Sequence, residues 1–111
     1  MRIKVSKIVP KGYIGITLWP FGIYVSDIKY IIDHSVINHE KIHWEQQKEL
    51  LGIFFYLLYG IEYFIKLFFL RDQSAYRNLS SEREAYFNED NFDYLETRKR
   101  YNWLKYIFKK P

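Results

Sequence analysis

A mainly helical α+β domain is predicted by two contrasting stretches of pattern. Residues 1–25 are rich in β-branched and aromatic side chains broken by Pro and Gly, whereas from residue 35 the apolar residues recur at helical spacing. No Pro interrupts residues 21–110, and Gly occurs there only at 22, 52 and 60, so long helices are permitted. At 111 residues the chain fits one domain around one core. Aromatic residues make up 21% of it, and each buried ring removes about 150–250 Å² from water, so that core can be dense.

The first strand is expected within residues 2–8, where Ile3 and Val5 alternate with Arg2, Lys4 and Ser6 before the phase slips. Residues 13–19 and 23–25 supply a second and third, separated by turn formers at 10–12 and 20–22, with Pro20 marking an edge or a bend. Residues 26–33 fit a strand or a helical turn equally well. A helix is expected over 35–59, with Ser35 as its N-cap and Val36, Ile37, Ile42, Trp44, Leu50 and Leu51 along a buried stripe. Residues 50–70 form an apolar run long enough to cross a bilayer. Glu62 and Lys66 lie within it, however, and their i,i+4 spacing favours a packed helix with one paired edge. Residues 71–78 are polar and expected as a loop. A further helix is expected over 81–98, capped by Ser80 or Ser81, with a capping box between Ser81 and Glu84. The tail, 99–111, sets Trp103, Leu104, Ile107 and Phe108 at helical spacing among bases.

The net charge of +4 belongs to that tail: residues 98–111 hold six bases and no acid, so the rest of the chain is slightly acidic. A closing segment with its apolar side on the core and its bases in water accounts for it. Peripheral contact with an anionic membrane is the second reading and nucleic acid a weak third. The absence of Cys excludes disulfides, cysteine-ligated metals and thiol nucleophiles. There is no Gly-rich phosphate loop and no Gly-x-Ser-x-Gly elbow. Residues 1–12 carry no apolar stretch with a small-residue cleavage site, so the expected location is cytoplasmic, with membrane association as the alternative.

One motif carries chemistry. His39-Glu40-Lys41-Ile42-His43 is the HExxH pattern, on the segment with the clearest helical spacing. Positions i and i+4 lie about 40° apart around a helix axis, so both imidazoles can reach one tetrahedral Zn²⁺. Glu40 then sits beside the metal, placed to take a proton from a bound water and pass it to a leaving amine. A catalytic zinc commonly has three protein ligands, and no third His lies six residues beyond His43. His34 precedes the helix with poor geometry. The remaining donors are carboxylates, best supplied by the acid-rich segment Ser81-Glu82-Arg83-Glu84-Ala85-Tyr86.

HExxH on one helix with a glutamate on a later one resembles the gluzincin arrangement of thermolysin-like and related small zinc peptidases. In those families the ligand glutamate is often followed by a small residue at +3 and an acid at +4. Glu82 has Ala85 and Tyr86 there, and Glu84 has Phe87 and Asn88. The resemblance thus implies Glu82 as third ligand, with Glu84 as the alternative. The chain also resembles small uncharacterised HExxH proteins of bacteria, which are minimal gluzincin-like domains. Tyr86 stands where the family has its acid, so the carboxylate that steadies a ligand histidine must come from elsewhere, with Asp90, Asp93 and Asp33 as candidates.

The expected function is therefore zinc-dependent hydrolysis of a peptide or protein, with His39, His43 and Glu82 as ligands and Glu40 as base and acid. Tyr76, Tyr86 and His34 are candidate donors to an oxyanion. Gly22 to Val25 is the expected edge strand for an extended substrate, as the gluzincin resemblance implies. Gln46 and Gln47 are expected on a solvated face, or one of them against a neighbouring chain. Two imidazoles and a carboxylate also suit Fe²⁺ or Mn²⁺. Two rival functions stay open: a non-catalytic zinc-containing binding or assembly protein using its aromatic surface, and a membrane-associated HExxH protein organised around residues 50–70, whose membrane contact charges at Phe54 and Phe55 would abolish.

Overall fold

The computed structural model describes residues 2–70 and 72–107. Three short strands, β1 (Ile3–Val5), β2 (Gly15–Leu18) and β3 (Gly22–Val25), are followed by a 3-10 turn at Ile28–Tyr30. Five helices come next, α1 (His34–Glu49), α2 (Ile53–Leu67), α3 (Asp72–Arg77), α4 (Ser80–Asn88) and α5 (Tyr94–Thr97), and a 3-10 helix spans Asn102–Tyr106. The expected α+β architecture is thus present.

The sheet order is β1-β3-β2, with β1 parallel and β2 antiparallel to β3. Gly22 to Val25 therefore forms the central strand and not the edge that the sequence suggested. Its Ile23 and Val25 are wholly buried. The sheet can close so tightly because Gly22 has no side chain: a Cβ there would stand 2.7 Å from the Arg2 carbonyl oxygen. The strand left with a free edge beside the helices is β2.

Helix α1 is capped by Asp33, not Ser35; the Asp33 carboxylate accepts from the Ser35 and Val36 amides at 3.0 and 3.3 Å. It also ends earlier than the pattern implied. The Leu51 amide donates to the Lys48 carbonyl and the Gly52 amide to the Gln47 carbonyl, with Leu51 left-handed at φ 54°. This is a Schellman closure whose left-handed position is held by leucine, with the glycine one residue later. α2 then leaves at 109° to α1, so no single helix among the described residues is long and apolar enough to cross a membrane.

Within residues 53–70, Phe55, Tyr59, Glu62, Tyr63 and Lys66 face the protein and every other residue is exposed. The Glu62–Lys66 pair, 2.7 Å apart, turns inward as the spacing predicted. Glu62 also accepts from the Ser80 amide and hydroxyl at 2.8 and 2.7 Å, satisfying the first turn of α4 from outside. Consequently neither Ser80 nor Ser81 is the cap residue, which is Leu79, and no Ser81–Glu84 box forms. Residues 72–77 are helical rather than a loop, and the expected 81–98 helix is two, broken after Asn88.

Ile42 of α1, Ala85 of α4 and Tyr94 of α5 form the central cluster, with Leu95 against it. The segment after α5 is a 3-10 helix that packs inward through Trp103, as expected, and Tyr106, which the expected stripe did not include, while Leu104 is exposed because the 3-10 repeat of three replaces the α-helical one; Phe108, Lys109 and Lys110 lie outside the described residues. Gln46 and Gln47 are buried, against expectation. Gln47 ties α1 to β2 by accepting from the Trp19 amide at 2.7 Å and donating to the Thr17 carbonyl at 2.8 Å.

Candidate metal centre

His39 and His43 stand one turn apart on the face of α1 that meets α4, and α4 carries Glu82 toward them; all three are buried. The His43 Nε2 lies 3.2 Å from the His39 Nε2 and 3.1 Å from the Glu82 Oε1, which is 3.4 Å from the His39 Nε2. Ligands about 2.0–2.1 Å from a tetrahedral zinc stand roughly 3.3 Å from one another, so the three separations fit one small ion. Among the described residues this is the group of three donors that could hold a metal. Glu84 is not brought there. Its carboxylate is fully buried on the other side of α4, paired with Arg98 at 2.5 Å and accepting from the Tyr94 hydroxyl at 2.6 Å.

The outer nitrogens fix which face of each ring looks inward. His39 Nδ1 is 2.9 Å from the Glu89 carboxylate, and His43 Nδ1 is 2.8 Å from the Gln46 Oε1. Gln46 must present its oxygen there, because its Nε2 donates to the Ser81 carbonyl and to Glu84 at 3.0 and 2.9 Å. Both Nδ1 protons are thereby committed outward, and both Nε2 atoms face Glu82. None of the expected carboxylates takes this role. Asp33 caps α1, Asp90 accepts from Ser35 Oγ, and Asp93 precedes α5. Glu89 lies one residue beyond α4, still in helical conformation and seven residues after Glu82, so helical spacing puts it on the Glu82 face, whereas only Asp residues were expected in this role.

Without an ion, the cluster holds its charge as a proton. Burial works against protonation of His43, but the adjacent Glu82 carboxylate raises its pKa to about 9. Burial likewise opposes ionisation of Glu82, yet the two imidazoles hold it well below the usual carboxylate range.

Glu40 sits beside this group. Its carboxylate and its carbonyl accept from Thr17 Oγ1 at 2.8 and 3.0 Å, so β2 fixes the side chain. A cavity of about 390 Å³ is lined by Glu40, His43 and Glu82 with Tyr59, Tyr76 and the β2 backbone. A second, of about 370 Å³, shares Tyr13, Gly15, Glu40, Tyr63 and Tyr76 and reaches His39, Arg77 and Glu89. Gly15 leaves the room: a Cβ there would meet the Glu40 carboxylate at 3.4 Å. Of the candidate donors, Tyr76 lines both cavities and Tyr86 packs edge-on to His39 at 4.5 Å, whereas His34 lies against Phe92 away from the site. Burial, followed by the Glu82 charge, pushes the Tyr59, Tyr76 and Tyr86 hydroxyls above their ordinary values, so each remains a proton donor. Thr17 and Tyr59 carry no motif and were not foreseen.

Compared with family models, with curated proteins and with solved structures, the chain matches none.

Proposed function

We propose that this chain is a zinc-dependent peptide hydrolase, a minimal zincin-like domain of the gluzincin type with His39, His43 and Glu82 as ligands. The observation that carries the reading is the convergence of their three donor atoms at 3.1–3.4 Å, with Glu40 on the wall of the adjoining cleft. Bound zinc would polarise the scissile carbonyl and acidify a water there.

The chain's own groups do the rest. Glu40, held by Thr17, takes a proton from the attacking water as its oxygen bonds to the carbonyl carbon, and gives it to the amine nitrogen as the C–N bond breaks. Tyr76 and Tyr86, kept protonated, are donors available to the oxyanion, and so is Tyr59, whose hydroxyl stands 3.5 Å from Glu82 Oε2. The outer edge of β2 lines the cleft and, apart from the Thr17 carbonyl and Trp19 amide that Gln47 engages, offers backbone groups to an extended peptide.

The test is metal content by elemental mass spectrometry on the native chain, His39→Ala, Glu82→Gln and Glu40→Gln, followed by a peptide-library assay. The expected result is about one zinc per native chain, loss in the first two variants, retention in Glu40→Gln, and cleavage by the native chain alone. No metal after reconstitution refutes the reading. Stoichiometric zinc with no turnover on any peptide refutes the hydrolase and leaves a zinc-held binding module.

A further inference from the structure

Helix α2 is inverted relative to an ordinary amphipathic helix. Its inward stripe, Phe55, Tyr59, Glu62, Tyr63 and Lys66, carries both charges, and the opposite side is apolar. Leu57, Ile61, Phe64, Ile65, Phe68 and Phe69 stand exposed on that side, the last three at 52, 73 and 81%. Among the exposed residues of 53–70 the sole side-chain polar atom is the Tyr56 hydroxyl, which already donates to Gln47. A face of this size on a small monomer marks an interaction surface.

Its chemistry selects the occupant. Protein partners form about one hydrogen bond per 100–200 Å² of interface, and this face has no free side-chain group to make one. Hydrocarbon asks for none. Bases come near one flank of it: buried Trp103 lines the same recess as Leu58 and Glu62 of α2, and its neighbours in the chain, Lys99, Arg100 and Lys105, are exposed. Of the acids close by, Glu62 is paired with Lys66, Glu49 and Glu84 are engaged by Arg98, and Glu96 is exposed. An apolar face with exposed bases in excess over exposed acids at one flank is complementary to an anionic bilayer surface, with rings in the acyl boundary and the cationic groups among the headgroups.

We infer that α2 docks the protein, lying flat, on an anionic membrane, with Phe64 and Phe68 as its deepest side chains. The inference does not depend on the metal or on hydrolysis.

Flotation with vesicles of phosphatidylcholine plus phosphatidylglycerol, and of phosphatidylcholine alone, tests it with the full chain. The native protein should float with the anionic vesicles and weakly or not at all with the neutral ones. The pair Phe64→Glu and Phe68→Glu should lower partition on the order of a hundredfold. Lys99→Gln with Arg100→Gln should lower it on the order of tenfold, for anionic vesicles alone. Because all four residues are exposed, unchanged thermal unfolding confirms that the variants fold. A Phe64→Trp variant, quenched by brominated acyl chains, reads insertion directly. Absence of flotation, equal flotation of the glutamate pair, or an indole in the Phe64→Trp variant that stays unquenched overturns the proposal. So does a lipid-free dimer by sedimentation that the glutamate pair dissociates without any vesicle binding, which would make a second copy the occupant.

Discussion

The Glu89 carboxylate lies 2.9 Å from Nδ1 of His39, and it joins two elements that the chain separates by fifty residues. A carboxylate can only accept, so it orients the ring, fixes the tautomer and makes Nε2 a better donor to a cation.

Glu89→Ala should therefore weaken zinc affinity by about 10- to 100-fold, and Glu89→Gln by less, since an amide oxygen still accepts. Competition against a chromophoric chelator measures both. Affinity unchanged in Glu89→Ala would show that the contact is incidental.

The proton on His43 gives metal binding a pH dependence of known sign. With the pKa raised from 6.5 to about 9, an ion arriving at neutral pH must displace that proton, so affinity rises with pH and levels off above about 9. Calorimetry in buffers of different ionisation enthalpy should count about one proton released near neutrality. The metal-free protein behaves oppositely. The stabilisation from this raised pKa is complete below 6.5 and is lost as pH rises through 9. That from Glu82, whose pKa is lowered, is present above 4.5 and is lost on acidification. Urea midpoints of the metal-free chain should thus fall on both sides of a plateau between those limits, and a midpoint still rising above pH 7 would contradict the assignment.

Glu82 and Glu84 differ in what their loss leaves behind. Arg98, with its side chain 5% exposed, bridges Glu84 and Glu49, and its guanidinium cannot shed its charge. Arg98→Met strands two acids in the interior and should destabilise the fold by about 3–5 kcal/mol. Glu82→Gln should cost clearly less, because His43 can release its proton once its partner is gone. Chemical denaturation of the metal-free variants compares the two, and equal losses would dissolve the distinction.

At the α1–α2 junction, Leu51 adopts a left-handed conformation with its side chain 66% exposed. For a residue with a Cβ this conformation costs roughly 1–2 kcal/mol, partly offset when glycine replaces it by the greater freedom of the unfolded chain. Leu51→Gly should stabilise the protein by about 0.5–1 kcal/mol, read as a higher Tm with the same unfolding slope in urea.

That junction also shows why some features were legible in the sequence and others were not. The motif on α1, the strands before it and the inward Glu62–Lys66 pair follow from spacing, because each depends on periodicity within one element, whereas Glu82 on another helix was reached only through the acid-rich segment and the gluzincin resemblance. The end of α1 is hidden although Gly52, at φ 72°, marks it, because the apolar run continues across the glycine and the preceding left-handed position is a leucine. Strand order was hidden for a different reason: three short strands share one composition, and the middle one is set by Gly22 meeting Arg2 across the sheet. Gln46 and Gln47 look like a wet face in isolation. Both are buried because Ser81, Glu84 and the β2 backbone offer them partners from distant parts of the chain. Long-range hydrogen bonding of this kind leaves no local pattern.

Thr17 is the clearest case with a functional consequence. Its hydroxyl donates to the Glu40 carboxylate at 2.8 Å and also meets the Glu40 carbonyl at 3.0 Å. Thr17→Val keeps the shape of the buried strand while removing that donor, and a hydrogen bond to a charged group is worth about 1.5–3 kcal/mol. If Glu40 is the proton carrier, the variant should lose roughly ten- to a hundredfold in kcat at unchanged zinc content. Thr17→Ser, which restores the hydroxyl, should recover most of the rate. A Thr17→Val chain with native kcat would show that the strand holds Glu40 by packing alone.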